Sequence, residues 1–344
     1  MASYAFWNNK GGVGKSFLCF VASCEYARLH PNASVYVIDL CPQANVSETL
    51  LGGYPSGPTA LGKLIKKIPR PTIGGYIEAR LNAPFQKLPD ISPYLTSVSK
   101  FNQLIPSNLH LVAGDNLLEI LQEAIRQTSQ LSVPFTAWRQ VLLWVRDLTD
   151  QISQSQPNRE VAFFIDCNPS FAIYTQLALA AADQVVVPFT ADDSSRRGIE
   201  NVIALLYGIG DSTLANYAKL NFAKRAKDDG LRTPTLSHFI SNRMTIYEGK
   251  ESKAFKAVSS TIKTTLDSIY SNHRSLFTHP SKKPSDGFIT IPDYHSACVV
   301  STTTGTPVHA MKAGPRIIMG ERVQINITPL NKYKKALGQF VKAL

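Results

Sequence analysis

The fold of this chain is decided by a stretch near its first residues, Trp7-Asn8-Asn9-Lys10-Gly11-Gly12-Val13-Gly14-Lys15-Ser16. The residues just before it have the composition of a short buried strand, and apolar residues after it recur at helical spacing. Glycines lack side chains, so backbone N–H groups can turn toward phosphate oxygens, and a helix N-terminus attracts the same anion. We therefore predict a phosphate-binding loop in which Lys15 contacts the β- and γ-phosphates and Ser16 ligates Mg²⁺. The alternative is a glycine-rich strand-to-helix turn in another kind of α/β protein.

Charge and cysteine content narrow the class of protein. The chain has 344 residues and a net charge of +11, which favours an anionic partner such as nucleic acid, acidic lipid or a nucleotide. A basic protein without such a partner is the alternative. The five cysteines are scattered without a C-x-x-C pair, which argues against a disulfide framework or a zinc site. With no signal peptide and no apolar run of about 18 residues, we expect a cytoplasmic protein.

Apolar runs ending in an aspartate mark two further strands. Residues 34–39 end in Asp39, and residues 161–166 end in Asp166. Other strands are expected at 109–113 and 184–188, with helical patterns between them. This alternation predicts an α/β fold with a doubly wound, mostly parallel twisted sheet and helices on both faces. Because parallel strands bind ligands at their carboxyl ends, both aspartates are candidate Mg²⁺ residues.

The chain is expected to form one domain over residues 1–344. A proline-rich stretch at about 52–106 has only one recognisable helix, near residues 60–68, and we interpret it as an insertion over one edge of the sheet. A single helix is predicted from Pro134 to about residue 152, and another over 251–270. An amphipathic helix at 329–344 closes the chain. The seven histidines are dispersed without metal-ligand spacing.

Several motifs extend the first one along most of the chain. Lys10 adds a second lysine ahead of the glycines, and Asp39 is followed by Pro42-Gln43 and Asn45. Further matching segments are Leu104-Ile105-Pro106-Ser107, Ile165-Asp166-Cys167-Asn168-Pro169-Ser170, Ile291-Pro292 and Gly305-Thr306-Pro307. Together they resemble the deviant Walker A ATPases, P-loop NTPases that include the ParA/Soj partition proteins and MinD, and they are most similar to the ParA branch.

The resemblance implies an ATPase with ATP and Mg²⁺ as cofactors and an ATP-dependent homodimer. Lys10 would cross the dimer interface to contact the phosphates bound by the other subunit, so Lys10, Lys15 and Asp39 are the predicted catalytic residues. The predicted metal ligands are Ser16, Asp39 and Asp166. The predicted nucleotide-binding residues are Lys10, Gly11, Gly12, Val13, Gly14, Lys15, Ser16 and Phe17, with base contacts from Asn242, Arg243, Pro292 and Asp293.

One position departs from the family pattern. Cys41 stands where relatives usually have a second aspartate, the residue associated with positioning the attacking water. A thiol with an ordinary pKa near 8.5 is mostly neutral and is a poor hydrogen-bond acceptor. We therefore expect slow hydrolysis, or hydrolysis that needs a partner or another carboxylate, with Asp39, Asp192 and Asp193 as candidates.

By the same resemblance, the dimer would bind DNA without sequence preference, associate with the nucleoid and respond to a ParB-like activator protein while segregating or positioning a cargo. The candidate DNA-binding face carries four lysines at helical spacing: Lys250, Lys253, Lys256 and Lys263. A second candidate face holds Lys224, Arg225, Lys227 and Arg232. The main alternative is a MinD-like switch that binds membrane through its basic, amphipathic C-terminal helix. A third hypothesis is a metabolic P-loop enzyme, in which Lys10 would have no assigned role.

Overall fold

Strands and helices alternate along most of the chain in the computed structural model. It describes residues 2–344 except Ala191, Asp211, Thr245, Glu248, Gly249 and Ser252. Only the backbone is described for Asp193, Leu220, Met244, Ile246, Tyr247, Lys250, Glu251, Lys253, Ala254 and Phe255. The strands are β1 (Ala2–Phe6), β2 (Ser34–Leu40), β3 (Thr96–Ser97), β4 (Leu109–Val112), β5 (Val161–Cys167), β6 (Gln184–Phe189), β7 (Thr235–Met244), β8 (Ile246–Tyr247), β9 (Lys250–Glu251), β10 (Ile289–Pro292), β11 (Gly314–Ile318) and β12 (Glu321–Ile325).

The helices flank these strands in chain order. They are α1 (Lys15–Leu29), α2 (Asn45–Leu50), α3 (Ser56–Leu64), α4 (Ile73–Asn82), α5 (Leu117–Ser129), α6 (Ala137–Leu142), α7 (Trp144–Gln154), α8 (Ile173–Ala181), α9 (Asp193–Tyr207), α10 (Thr213–Leu220), α11 (Phe222–Asp228), α12 (Lys253–Asn272), α13 (His295–Thr304) and α14 (Ile327–Ala343). Short 3₁₀ helices occupy Ser92–Tyr94, Val98–Lys100, Arg274–Leu276, Pro284–Gly287 and Val308–Ala310. None of the described helices combines the length and the apolarity needed to cross a bilayer.

An eight-stranded sheet forms the centre of the molecule, in the order β10-β7-β6-β1-β5-β2-β4-β3. All neighbouring strands are parallel except β3, which runs antiparallel to β4 at the edge. Successive residues of a strand point to opposite faces, and Phe163 and Phe164 of β5 accordingly belong to two separate apolar clusters. Helices cover both faces, so the predicted doubly wound, mostly parallel α/β fold is confirmed.

The proline-rich segment is more regular than its sequence indicates. It forms α3 and α4 before the edge strand β3, whereas only one helix near residues 60–68 was expected. Thr72 caps α4 by accepting a hydrogen bond from the Gly75 N–H at 3.1 Å. Asn102 donates to the carbonyl of Gly305 at 2.8 Å, which fastens the end of the segment to the C-terminal part of the chain.

Two further expectations are corrected. The single helix predicted from Pro134 is two helices, α6 and α7, and the helix predicted at 251–270 is α12, shifted by two residues. Strand β7 includes Asn242 and Arg243, two of the residues predicted to contact the base. An unpredicted antiparallel hairpin, β11–β12, turns at Met319 and Gly320, whose φ angles are 50° and 88°.

The C-terminal helix α14 docks on the sheet. Leu330, Tyr333, Leu337, Phe340 and Val341 on its apolar side are all buried. The ring of Tyr333 stacks on Phe17 of α1 at 6.3 Å, and Phe340 meets Phe6 of β1 edge-on at 6.4 Å. The surface that a membrane-binding helix would offer to lipid is therefore already used inside the protein.

Candidate active site

The glycine loop joins β1 to α1 and adopts a conformation that only glycine tolerates well. Gly12 and Gly14 have φ angles of 75° and 88°. The Asn242 amide from β7 donates to the carbonyl of Val13 at 3.0 Å and holds the loop from the side. A Cβ atom on Gly14 would lie 2.2 Å from that amide nitrogen. Asn242, predicted to contact the base, therefore has its amide bound to the loop.

Lys15 is the first residue of α1, and its side chain folds back over the loop. It is 7% exposed, and its Nζ donates to the carbonyl of Lys10 at 2.9 Å. Burial lowers the pKa of Lys15, and the charge of Asp166 opposes this shift. The ammonium group and the free N–H groups at the start of α1 thus face the same space, as phosphate binding requires.

The two strand-end aspartates are brought side by side. Asp39 of β2 pairs in register with Asp166 of β5, and both are fully buried. Asp39 accepts hydrogen bonds from the Ser47 hydroxyl at 2.7 Å and from the backbone N–H groups of Ser47 and Cys41, each at 3.1 Å. Burial raises the pKa of Asp39 to about 6, although these hydrogen bonds counteract the shift.

Asp166 is the least satisfied group of the site. Within the described part of the chain, neither of its carboxylate oxygens has a well-formed hydrogen bond, although the Ser16 hydroxyl is near enough to lower its pKa. Burial and the charge of Asp39 outweigh this effect and raise the pKa of Asp166 to about 8. A buried carboxylate without partners is costly, and a cation would remove that cost. Ser16, Asp39 and Asp166 therefore fit a Mg²⁺ ion, since hydroxyl and carboxylate oxygens are its preferred protein ligands.

Cys41 lies beside this pair and is 6% exposed. Burial and the charges of Asp39 and Asp166 raise the pKa of its thiol to about 12. The side chain is thus a neutral thiol at physiological pH.

Lys10 forms an ion pair that was not predicted from the sequence. Its ammonium forms an ion pair with Asp192 and also contacts the hydroxyls of Thr190 at 3.1 Å and Ser195 at 3.3 Å. Burial alone would raise the pKa of Asp192, but hydrogen bonds from Lys10, Ser194 and Thr190 hold it well below its usual range. In this conformation Lys10 is held within its own chain. Asp193, the other candidate carboxylate, has no described side chain.

The remaining predicted nucleotide contacts divide into two groups. Arg243 has a φ of 57° and is exposed, and Pro292 and Asp293 follow at the end of the neighbouring strand β10. These residues gather at the same edge of the sheet as the loop. Phe17 is 8% exposed and its ring is packed in the core, so only its backbone N–H is left for a phosphate. A cavity of about 330 Å³ adjoins Ser16 and is bounded by Asn45 and Glu48 of α2.

The candidate DNA-binding lysines are partly described. Lys256 and Lys263 are exposed on α12, two turns apart, whereas the side chains of Lys250 and Lys253 lie outside the described residues. The second candidate face is partly neutralised within the chain. Its ion pairs are Lys224 with Asp228, Arg225 with Asp229 and Arg232 with Asp183. The α12 face is therefore the better candidate.

Sequence reasoning missed the residues that support the site. Ser47 orients Asp39, Asn242 braces the loop, and Asn8 accepts a hydrogen bond from the Lys10 N–H at 3.0 Å while donating to Pro188 at 2.7 Å. Each joins segments that are distant in the chain or follows no local pattern. Only Asn8, next to the glycines, carried a signal that could have identified it.

Comparisons with known proteins identify the family and the fold of the chain. Residues 1–218 match the family model AAA_31, an AAA domain. The fold is similar to that of a Cyanothece McdA variant in complex with ATP, with 17% identity over 98% of this chain and 96% of that chain and a TM-score of 0.57. It is also similar to a plasmid partition protein from Borrelia burgdorferi B31 bound to AMPPNP, with 16% identity over 100% and 99% of the two chains and a TM-score of 0.56.

A third similar structure is pNOB8 ParA, with 12% identity over 84% of this chain and 80% of that chain and a TM-score of 0.51. No curated protein matches the chain in sequence. The similarities confirm the predicted P-loop NTPase fold and the resemblance to ParA-type proteins.

Proposed function

The chain belongs to the AAA_31 family of AAA domains, and from this premise we propose that it is a ParA-type ATPase that acts as a dimerising switch on DNA. Its cofactors are ATP and Mg²⁺. The observation that carries this proposal is the unsatisfied carboxylate of Asp166, which lies in register with Asp39 and close to Ser16 and Lys15. A divalent cation and a triphosphate supply the charges that this arrangement lacks.

Each residue has a defined role in this proposal. The loop N–H groups and the Lys15 ammonium bind the β- and γ-phosphates. Ser16, Asp39 and Asp166 hold Mg²⁺, which neutralises charge on the phosphate oxygens. Because the neutral thiol of Cys41 cannot accept a proton from water as a carboxylate can, hydrolysis by the isolated protein is slow. An activator protein of the ParB kind raises this rate.

Dimerisation depends on Lys10. In the monomer its ammonium is paired with Asp192, and release from that pair lets it reach the phosphates bound by a second subunit. A lysine ammonium is a compact point charge suited to stabilising phosphoryl oxygens in the transition state. The ATP-bound dimer then combines the α12 lysines of two chains, including Lys256 and Lys263, into one basic surface for the DNA backbone.

The cargo is a plasmid, a chromosome or a protein assembly, positioned by cycles of DNA binding and release over the nucleoid. McdA and the plasmid partition proteins share this fold, which supports such a role. We do not propose the alternative of membrane binding through α14, because its apolar side is buried against α1 and β1.

Light scattering of the 37.8 kDa chain with ATP, with ADP and without nucleotide tests the proposal. We expect a doubling of mass only with ATP and Mg²⁺, and retention of the dimer on duplex DNA. Lys10→Ala should bind ATP and remain monomeric, whereas Lys15→Ala should lose nucleotide affinity. A wild-type chain that stays monomeric with ATP and ignores DNA would refute the proposal.

A further inference from the structure

A recess lies at the edge of the sheet opposite the glycine loop. It is formed by the first residues of β7, the loop at 277–288 and the end of α14, and its volume is about 400 Å³. Small-molecule sites in proteins span roughly 300–1,000 Å³. The residues that bring polar or charged groups to its lining are Ser237, His238, His279, Lys282, Lys283 and Asp286.

His238 is the buried polar group of this recess. It is 8% exposed, and its Nδ1 atom has no hydrogen-bond partner among the described residues. Burial and the neighbouring His279 lower the pKa of His238 to about 4, while a hydrogen bond to the backbone of Ala343 acts in the opposite direction. The ring is therefore neutral in the free protein and carries an unsatisfied acceptor nitrogen, which a ligand hydroxyl or N–H group can satisfy, or a phosphate oxygen once the ring takes up a proton.

The charge around the recess is predominantly positive. Lys282 and Lys283 are exposed and form no ion pair within the described part of the chain, and Asp286 is the single acidic residue of the lining. Lys263 of α12 lies over the Phe288 ring at 5.3 Å, beside the same opening. No three His, Cys, Asp or Glu residues among those described converge as a metal site. The chemistry of the recess thus suits an anion.

The loop that carries these lysines is held in place at several points. Thr278 N–H donates to the carbonyl of Leu236 at 2.9 Å, and the Tyr270 hydroxyl donates to the carbonyl of Pro280 at 2.6 Å. The Ser285 hydroxyl donates to Asp267 of α12 at 2.7 Å. The recess is therefore formed in advance of binding, which reduces the entropy that a ligand must overcome.

Aromatic rings supply an apolar wall. Phe277 is buried, and Phe288 lines the recess while stacking on Phe239 at 5.9 Å. Phe239 and Lys263 pack on the Phe288 ring, so the ring adds apolar surface beside a ligand rather than a free stacking face. We infer that this recess binds a small phosphate monoester with an apolar or aromatic body, the chemistry of a nucleoside monophosphate, with Lys282 and Lys283 on the phosphate and the body beside Phe277 and Phe288. The site is separate from the glycine loop and does not depend on ATP binding there.

Calorimetric titration of AMP into the full-length chain tests this inference. The Lys15→Ala background weakens binding at the glycine loop, so the remaining heat reports on the recess. We expect one AMP per chain, an affinity at least tenfold weaker in Lys282→Gln/Lys283→Gln, and no change in Lys66→Gln/Lys67→Gln, a matched pair of adjacent exposed lysines elsewhere. Both pairs are exposed, so neither change should alter the melting temperature.

A second readout comes from ¹⁵N resonances of the His238 ring in the wild-type chain. AMP should shift them and raise the pH at which the ring titrates, because a nearby anion favours the imidazolium. Absence of AMP binding, or equal weakening in the two lysine pairs, would overturn the inference. Loss of duplex DNA binding in Lys282→Gln/Lys283→Gln without any AMP binding would also overturn it, by assigning the lysines to the DNA backbone.

Discussion

At the scale of single residues, the thiol at position 41 is the clearest departure from a complete hydrolytic site. Cys41→Asp places a carboxylate where the neutral thiol stands, and we expect single-turnover ATP hydrolysis to rise by about a hundredfold, the lower end of general-base effects. Cys41→Ser preserves the size without the charge and should leave the rate unchanged. An equal rise in both variants, or in neither, would contradict the role assigned to the missing carboxylate.

The ion pair between Lys10 and Asp192 leads to a prediction about dimerisation. Asp192→Asn keeps a side chain able to cap α9 but removes the charge that holds Lys10. Because the Asp192 side chain is 47% exposed, the pair is worth at most about 1 kcal/mol. The ATP concentration for half-maximal dimerisation should thus fall about two- to fivefold in light scattering. Glu200→Gln, which breaks another α9 ion pair with Arg196, should have no effect. An unchanged ATP concentration for half-maximal dimerisation in Asp192→Asn would show that the ion pair does not restrain Lys10.

The buried carboxylate pair should make the nucleotide-free protein sensitive to pH. Both aspartates have a raised pKa, about 6 for Asp39 and about 8 for Asp166, so the folded state holds more protons than the unfolded state between pH 4 and 8. Stability should therefore fall as pH rises through this window. The melting temperature should fall by roughly several degrees between pH 5.5 and pH 8. Mg²⁺ with ATP should remove most of this loss, and Asp166→Asn should reduce it. A flat profile in the nucleotide-free wild type would contradict the assignment.

At the scale of elements, the question is whether the apolar side of α14 packs against the protein or binds a membrane. Phe340 is fully buried against Phe6, so Phe340→Ala should lower the free energy of unfolding by about 3–5 kcal/mol in denaturant titrations. Lys332→Gln on the exposed side should change it by less than about 0.5 kcal/mol. Neither variant should change liposome sedimentation, since wild-type binding is expected to be absent. Sedimentation of the wild type with anionic vesicles would reverse this interpretation.

The elements that the sequence predicted share a physical cause. Residues 34–39 and 161–166 are continuous apolar runs because β2 and β5 are buried on both faces, and such runs are legible in a single sequence. The segment at 52–106 was not legible, because α4 contains two glycines and gains its stability from packing rather than from helix propensity. The hairpin β11–β12 depends on a tight turn whose Met319 carries a positive φ that no sequence pattern announces.

The candidate site divides in the same way. Lys15, Ser16, Asp39 and Asp166 follow strand ends or glycines, where local pattern and parallel-sheet topology together place them. Residues that contact partners far away in the sequence could not be predicted in this way. Asn242 lies more than 220 positions from the loop carbonyl it binds, and Asp192 is 182 positions from Lys10. Such partners are selected by three-dimensional packing, for which a single sequence carries no periodic signal.

At the scale of the whole molecule, the net charge of +11 predicts DNA binding only if unpaired lysines and arginines cluster on one surface. Part of the positive charge is paired within the chain, whereas Lys256 on α12 is exposed and free of ion pairs among the described residues. Each lysine on a phosphate releases about one counterion, so Lys256→Glu should weaken ATP-dependent DNA binding and lower the slope of log affinity against log salt by about one per chain.

Lys224→Glu supplies the matched control, because Lys224 is already paired with Asp228 on α11. The measurement is fluorescence anisotropy of labelled duplexes of two unrelated sequences at several salt concentrations, with ATP present. Loss of affinity should be equal for the two duplexes, since phosphate contacts carry no sequence information. If Lys224→Glu weakened binding as much as Lys256→Glu, total charge rather than the α12 face would control association with DNA, and the dimer would lack a defined DNA-binding surface.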